Sequence, residues 1–126
     1  MKMPEKATLT QLSEGIYKEK GSKFLAYAMP IESKEEVKEI VNRYKKEHHK
    51  AKHVCFAYRI GENIRANDNG EPSGTAGRPI LRQIDAANLD HVLVVVVRYF
   101  GGTLLGTGGL INAYKTAAQD AIKNGL

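Results

Sequence analysis

VLVVVVRYFGGTLLGTGG, residues 92–109, is the stretch on which the architecture of this chain turns. Residues 92–97 are apolar at every position and β-branched at five of the six, the pattern of a central strand covered on both faces. GGTLLGTGG (101–109) follows, and then LINAYKTAAQDAIK, whose Leu110, Ala113, Tyr114, Ala117 and Ala121 fall on one helical stripe. The order is strand, glycine loop, helix. Free backbone N–H groups and the positive end of the helix macrodipole at such a junction suit an anion. The spacing fits neither nucleotide fingerprint: no lysine follows a glycine as in a P-loop, and Gly106-x-Gly108 meets Ile111 where a third Gly or Ala belongs. The alternative is that these glycines supply positive φ and close helix-to-sheet packing.

Upstream lies a second glycine-rich loop, DNGEPSGTAGRP (68–79), leading through Pro79 into a short helix marked by Ile80, Leu81, Ile84 and Ala87. Before it, VCFAYRI (54–60) reads as a strand and Gly61–Ile64 as its turn. A helix over the late thirties and forties begins at Ser33-Lys-Glu-Glu36, a capping-box pattern, and carries Val37, Ile40, Val41 and Tyr44 at i, i+3, i+4, i+7. Gly15–Ile31 has β-prone residues broken by Lys-Gly-Ser, a hairpin or two short strands closed by Pro30. No internal repeat or linker interrupts the series. The pieces add up to helices packed against a sheet.

Asp68, Glu71 and Ser73 invite an enzymatic reading as base and nucleophile. Ser73 lacks the G-x-S-x-G elbow, and the nearest preceding histidine, His53, is fifteen positions before Asp68. Carboxylates in Gly/Pro/Asn loops usually make turns and cap helices, so no catalytic residue is assigned. His49, His53 and Cys55 have zinc-like spacing only on one continuous helix, which the strand starting at Val54 breaks; neither metal nor cofactor is expected.

Nineteen Lys and Arg against fourteen Asp and Glu give a net charge of +5 and a pI near 9.3. Residues 1–63 hold thirteen of the basic and nine of the acidic side chains, so the first half carries most of the excess. Arg43, Lys45, Lys46, Lys50 and Lys52 cluster with Glu47 as the sole acid among them. Such a run is either a solvated helix end or a phosphate-binding patch. Cys55 is the sole cysteine, which precludes an internal disulfide and fits a reducing compartment. No apolar run approaches the roughly 18–20 residues a spanning helix needs, and the N-terminus MKMPEKATLT has no apolar core behind its lysine. The expectation is one cytoplasmic domain over 1–126, without a membrane partner and with the oligomeric state left open.

KGSKF (20–24), KAKHVCFAYRIG (50–61), DNGEPSGTAGRPIL (68–81) and VLVVVVRYFGGTLLGTGGLINAY (92–114), in that order, resemble the Impact N-terminal domain family of bacterial YigZ-like proteins and eukaryotic IMPACT translational regulators. The likeness spans about residues 15–122. It implies an α+β two-layer sandwich like the second domain of ribosomal protein S5, a mixed sheet with helices on one face. It also implies a role in translation and the stress response, through RNA, the ribosome or a ribosome-bound protein, with a small enzyme or binding protein for an anionic small molecule at the glycine loops as the alternative. Bacterial relatives add a C-terminal ferredoxin-like domain, expected to be missing from this chain. Asn69 stands where the family more often has a second aspartate, which weakens an acidic metal pair there. A groove shared by the two loops is expected to bind through Asp68, Glu71, Ser73, Thr75, Arg78, Arg98, Tyr99, Gly101, Gly102, Gly106, Thr107 and Gly108.

Overall fold

The computed structural model describes residues 6–126; the first five residues of the N-terminal stretch read above lie outside it. In chain order the elements are β1 (Ser13–Glu19), β2 (Ser22–Pro30), α1 (Glu35–Glu47), β3 (His53–Ile60), β4 (Asn63–Asn67), α2 (Gly77–Ala86), β5 (Val92–Tyr99) and α3 (Gly106–Gly125). The strands form one sheet in the order β1-β2-β5-β3-β4. The all-apolar strand is therefore central, and Val92 to Val97 are completely buried.

Strand alternation divides those six residues between two cores. Val92, Val94 and Val96 face Ile80 and Ile84 of α2 and Leu110, Ala113, Tyr114 and Ala117 of α3. Alanines at 26, 28 and 57 on the neighbouring strands keep this surface low enough for two helices to approach. Leu93, Val95 and Val97 face the other way, onto Val37 and Val41 of α1 with Val54 and Tyr58. The α+β class stands, and two details differ from expectation. Helices cover both faces, because a strand apolar at every position has two faces to bury. The sheet is antiparallel in every ladder rather than mixed. β2 and β3, joined by the α1 crossover, do run parallel, but β5 is inserted between them as in a split β-α-β unit. The described parallel pairing is an isolated bridge, Ala7 to Leu89.

Local chemistry explains most element ends. The β1–β2 hairpin turns on Lys20 and Gly21, both at positive φ. The carboxylate of Glu36 accepts from the N–H groups of Glu32 and Ser33, the return half of a capping box, and α1 starts at Glu35. The turn after β3 is shorter than expected: Asn63 and Ile64 already pair with Ile60 and Arg59 as the start of β4. α3 likewise starts earlier than expected, so Gly106, Gly108 and Gly109 belong to its first turn. Among the described residues no helix is long and apolar enough to cross a membrane.

The glycines of the second loop differ in what they do. A Cβ on Gly101 would run into the backbone of Gly21 and Ser22, whereas one on Gly108 would meet open space. Gly101→Ala should therefore lower stability by about 1–3 kcal/mol through forced displacement of the hairpin turn. Gly108→Ala, in a helical turn, should raise it by about 0.5–1 kcal/mol. Urea denaturation of the two variants checks both signs.

Candidate functional site

Arg98 continues the even-numbered series of β5, so its side chain follows Val92, Val94 and Val96 into the first core. A charge arriving there needs a partner. Glu71, from the loop between β4 and α2, supplies it: Nη1 of Arg98 donates to Oε1 at 2.9 Å and to Oε2 at 2.7 Å. The two side chains are 6% and 3% exposed. Tyr114 of α3 donates its hydroxyl to Oε2 at 2.6 Å. His53, first residue of β3, places Nε2 3.3 Å from Oε1. Its Nδ1 lies 2.7 Å from the carbonyl oxygen of Asn69, an acceptor, so that nitrogen is the donor. The contact with Glu71 is then an ion pair when the ring carries both protons. Phe24 and Phe100 lie against the guanidinium, with its central carbon 5.5 and 5.6 Å from their ring centroids. Arg98 Nε is buried without a hydrogen-bond partner, the lone such side-chain atom among the described residues.

Cys55 completes the cluster and is chemically quiet. Its thiol lies 3.1 Å from the Asp68 carbonyl oxygen and 3.4 Å from the Tyr114 hydroxyl. Burial pushes its pKa up to about 12, so little thiolate exists at neutral pH. Burial, with the Cys55 thiol and Glu71 adding to it, also raises Tyr114, which stays a hydroxyl donor.

Asp68 organises the rest of its loop. Its carboxylate accepts from the N–H groups of Gly74 at 2.9 Å, Ala76 at 3.2 Å and Gly77 at 2.8 Å. Ala76 offers α2 no side-chain cap, and Asp68 caps that helix from outside it. Burial pulls the Asp68 pKa upward, but the three N–H donors and the charge of Arg78 outweigh it, and the carboxyl lies below its ordinary range. Asn69, at φ 41°, turns the chain into Gly70 at φ 86° and accepts the Val54 N–H on its side-chain oxygen.

At this end of the sheet Glu71 of the first glycine loop is tied to Arg98 of β5 and Tyr114 of α3, the two elements that flank the second loop. Of the residues assigned to a groove shared by the two loops, Glu71, Thr75 and Arg98 are buried, and Thr75 donates to the Pro72 carbonyl. Asp68 is engaged by backbone. Gly101 packs on the hairpin turn and donates its N–H to Ser22. Tyr99 faces α1, its hydroxyl 2.7 Å from Nδ1 of His48. Ser73, Arg78, Gly102, Gly106, Thr107 and Gly108 are exposed, beside the exposed side chains of Phe100 and Leu104. Tyr114 and His53 escaped assignment as partners of Glu71. Arg98 was the available signal, a charge closing a strand that is otherwise wholly apolar.

The basic cluster starts on α1 and runs to this same end, where the Lys52 N–H donates to the Arg98 carbonyl. Arg43, Lys45, Lys46, Lys50 and Lys52 are exposed, and among the described residues none is in an ion pair. The described residues hold no group of three or more His, Cys, Asp or Glu fit for a metal ion.

Comparison with known proteins gives consistent results. Residues 20–122 match the model of the Impact N-terminal domain. An IMPACT family member of Thermus thermophilus is 48% identical over 102 residues, covering 81% of this chain and 55% of that protein. A crystal structure of a hypothetical protein superposes with a TM-score of 0.89 at 34% identity, covering 92% of this chain and 59% of the other. The structure of the two-domain translational regulator Yih1 gives 0.57 at 25% identity, covering 94% and 49%. The chain spans about half the length of the relatives it matches.

Breaking the buried pair should be costly. Glu71→Gln leaves Arg98 as an uncompensated buried charge and should cost about 3–5 kcal/mol; Tyr114→Phe should cost about 1–3 kcal/mol. Both are read from urea midpoints. Asp68→Ala should cost about 1–2 kcal/mol at pH 7, as loss of a helix cap does. Because the native carboxyl has the lower pKa, the unfolded chain binds the proton more readily. The wild-type advantage should be full above the ordinary aspartate range, about pH 4, and disappear as pH falls through the lower native value.

Proposed function

The chain belongs to the Impact N-terminal domain family, and on that footing we propose that it serves in the regulation of translation as a binding module that contacts ribosomal RNA through its basic face. The carrying observation is the set of exposed, unpaired cations on and after α1: Arg43, Lys45, Lys46, Lys50 and Lys52. Lysines beyond a helix C-terminus complement its dipole, but five in ten residues with one acid exceed that need. Exposed cations convert into affinity for a polyphosphate backbone by releasing its counterions. The relative described as a translational regulator supports the part of this reading that concerns translation.

The glycine loops support an anion site or an enzyme less well. The Thr75 hydroxyl and Nη1 of Arg98 are engaged by Pro72 and Glu71. Cys55 is held as a thiol, and Glu71 is enclosed by its own donors.

Association of the chain with ribosomes should be measurable by co-sedimentation at low salt and should weaken steeply as salt is raised. Charge reversal at Lys45, Lys46 and Lys50 together should abolish it while leaving the unfolding midpoint near that of the wild type. Binding that ignores both salt and the triple reversal would count against the proposal.

A further inference from the structure

Three grooves surround α1, and their charge distinguishes them better than their size. One of about 490 Å³ along its outer face is lined by Glu35 and Glu39 among the cations. Another of about 440 Å³, toward β1 and β2, has Glu14 and Glu47 with Arg43. The third, about 320 Å³ between α1 and the β3–β4 hairpin, is lined by Lys34, Lys38, Lys45 and Arg65 and by no acid. Among the described residues none of these four cations is in an ion pair. Phe56 and Tyr58 form its other wall, and Phe56 keeps part of its ring in solvent.

The placement follows from element geometry. Lys34, Lys38 and Lys45 lie along the flank of α1 that adjoins the buried stripe of Val37 and Val41. Phe56 and Tyr58 point to the α1 side of β3, and Arg65 stands opposite Tyr58 in the ladder. The result is an aromatic wall between rows of unpaired cations. That combination is the one by which proteins hold unpaired nucleotides: bases stack on rings while phosphates lie along the charges.

We propose that this groove receives a segment of single-stranded RNA, with one base against the Phe56 ring and the flanking phosphates on Lys34, Lys38, Lys45 and Arg65. The inference rests on reading the domain as an RNA-contacting module and gives that contact a location. A duplex, whose bases stay stacked within the helix, offers the groove phosphates alone. A volume near 320 Å³ lies at the small end of ligand sites, about 300–1,000 Å³, and suits one nucleotide rather than a run of bases.

Fluorescence anisotropy with a labelled oligo-uridine decamer, the same strand paired to oligo-adenosine, and a labelled oligo-glutamate peptide tests this. The single strand should bind more tightly than the duplex. Phe56→Ala should weaken single-strand binding about 5- to 150-fold, the range for loss of one stacked base. Phe56→Leu, which keeps apolar volume beneath α1, should lose most of the same affinity with its unfolding midpoint retained. Lys38→Ala with Arg65→Ala should reduce the slope of log affinity against log salt by about 1.4, about 0.7 for each phosphate contact removed. RNA binding unchanged in these variants but lost on Lys46→Glu with Lys50→Glu would overturn the groove and leave the RNA reading standing. Preference for the peptide, or binding of neither oligonucleotide, would overturn the groove; if ribosomes were also not bound, the reading beneath it would fall too.

Discussion

One carboxylate in the core holds the loop end of this domain together. Glu71 receives two hydrogen bonds from Arg98 and one from Tyr114, with His53 alongside, so three other pieces of chain converge on it. A carboxylate or guanidinium withdrawn from water alone is penalised by several kcal/mol, and here the penalty is offset because the two are buried together and bonded to each other, with Arg98 Nε left without a partner. Neither Glu71 nor Arg98 can stay where it is without the other. The loop before α2 is thereby tied to the end of β5, from which the loop before α3 departs, and α3 is tied to both through Tyr114. Asp68 then caps α2 from within the same segment.

This arrangement divides the molecule by role. The glycine loops, the most conspicuous feature of the sequence, owe much of their composition to the contacts each makes with its own surroundings. Gly101 has the hairpin turn against it, Asn69 and Gly70 reverse the chain beside His53, and Thr75 and Asp68 are engaged within their own loop. The other face of the sheet has a looser cover. A single helix lies there, flanked by grooves and bearing cations without partners, and its end is joined to β5 where the Tyr99 hydroxyl meets His48. A surface that holds charge unpaired and leaves an aromatic ring part-exposed suits a ligand better than one whose carboxylates and hydroxyls are already bonded within the protein.

What the sequence disclosed followed from pattern strength. Six consecutive apolar residues could be read as a central strand, and the stripes of α1 and α3 could be read because their buried positions recur at helical spacing. β4 was hidden because Asn63–Asn67 is a short edge strand whose alternation rests on Ile64 and Ala66 alone, both of them exposed. The start of α3 was hidden because Gly106, Gly108 and Gly109 read as a loop, although only Gly106 of the three takes a positive φ. Placing helices on both faces was implicit in the apolar character of residues 92–97. Of the site, the loops and Arg98 were legible; the pairing of residues 27 positions apart and the contributions of Tyr114 and His53 were not, since they depend on how β3, β5 and α3 align in space.

The most direct test of the view that one carboxylate unites the loop end is amide hydrogen exchange on Glu71→Gln beside the wild type, under conditions where both are folded. If Glu71 is the common tie, protection should fall together in residues 70–77, in 101–106 and in the first turns of α2 and α3, while β1, β2 and α1 keep theirs. Loss confined to residues 70–77, with the second loop and α3 unchanged, would contradict it.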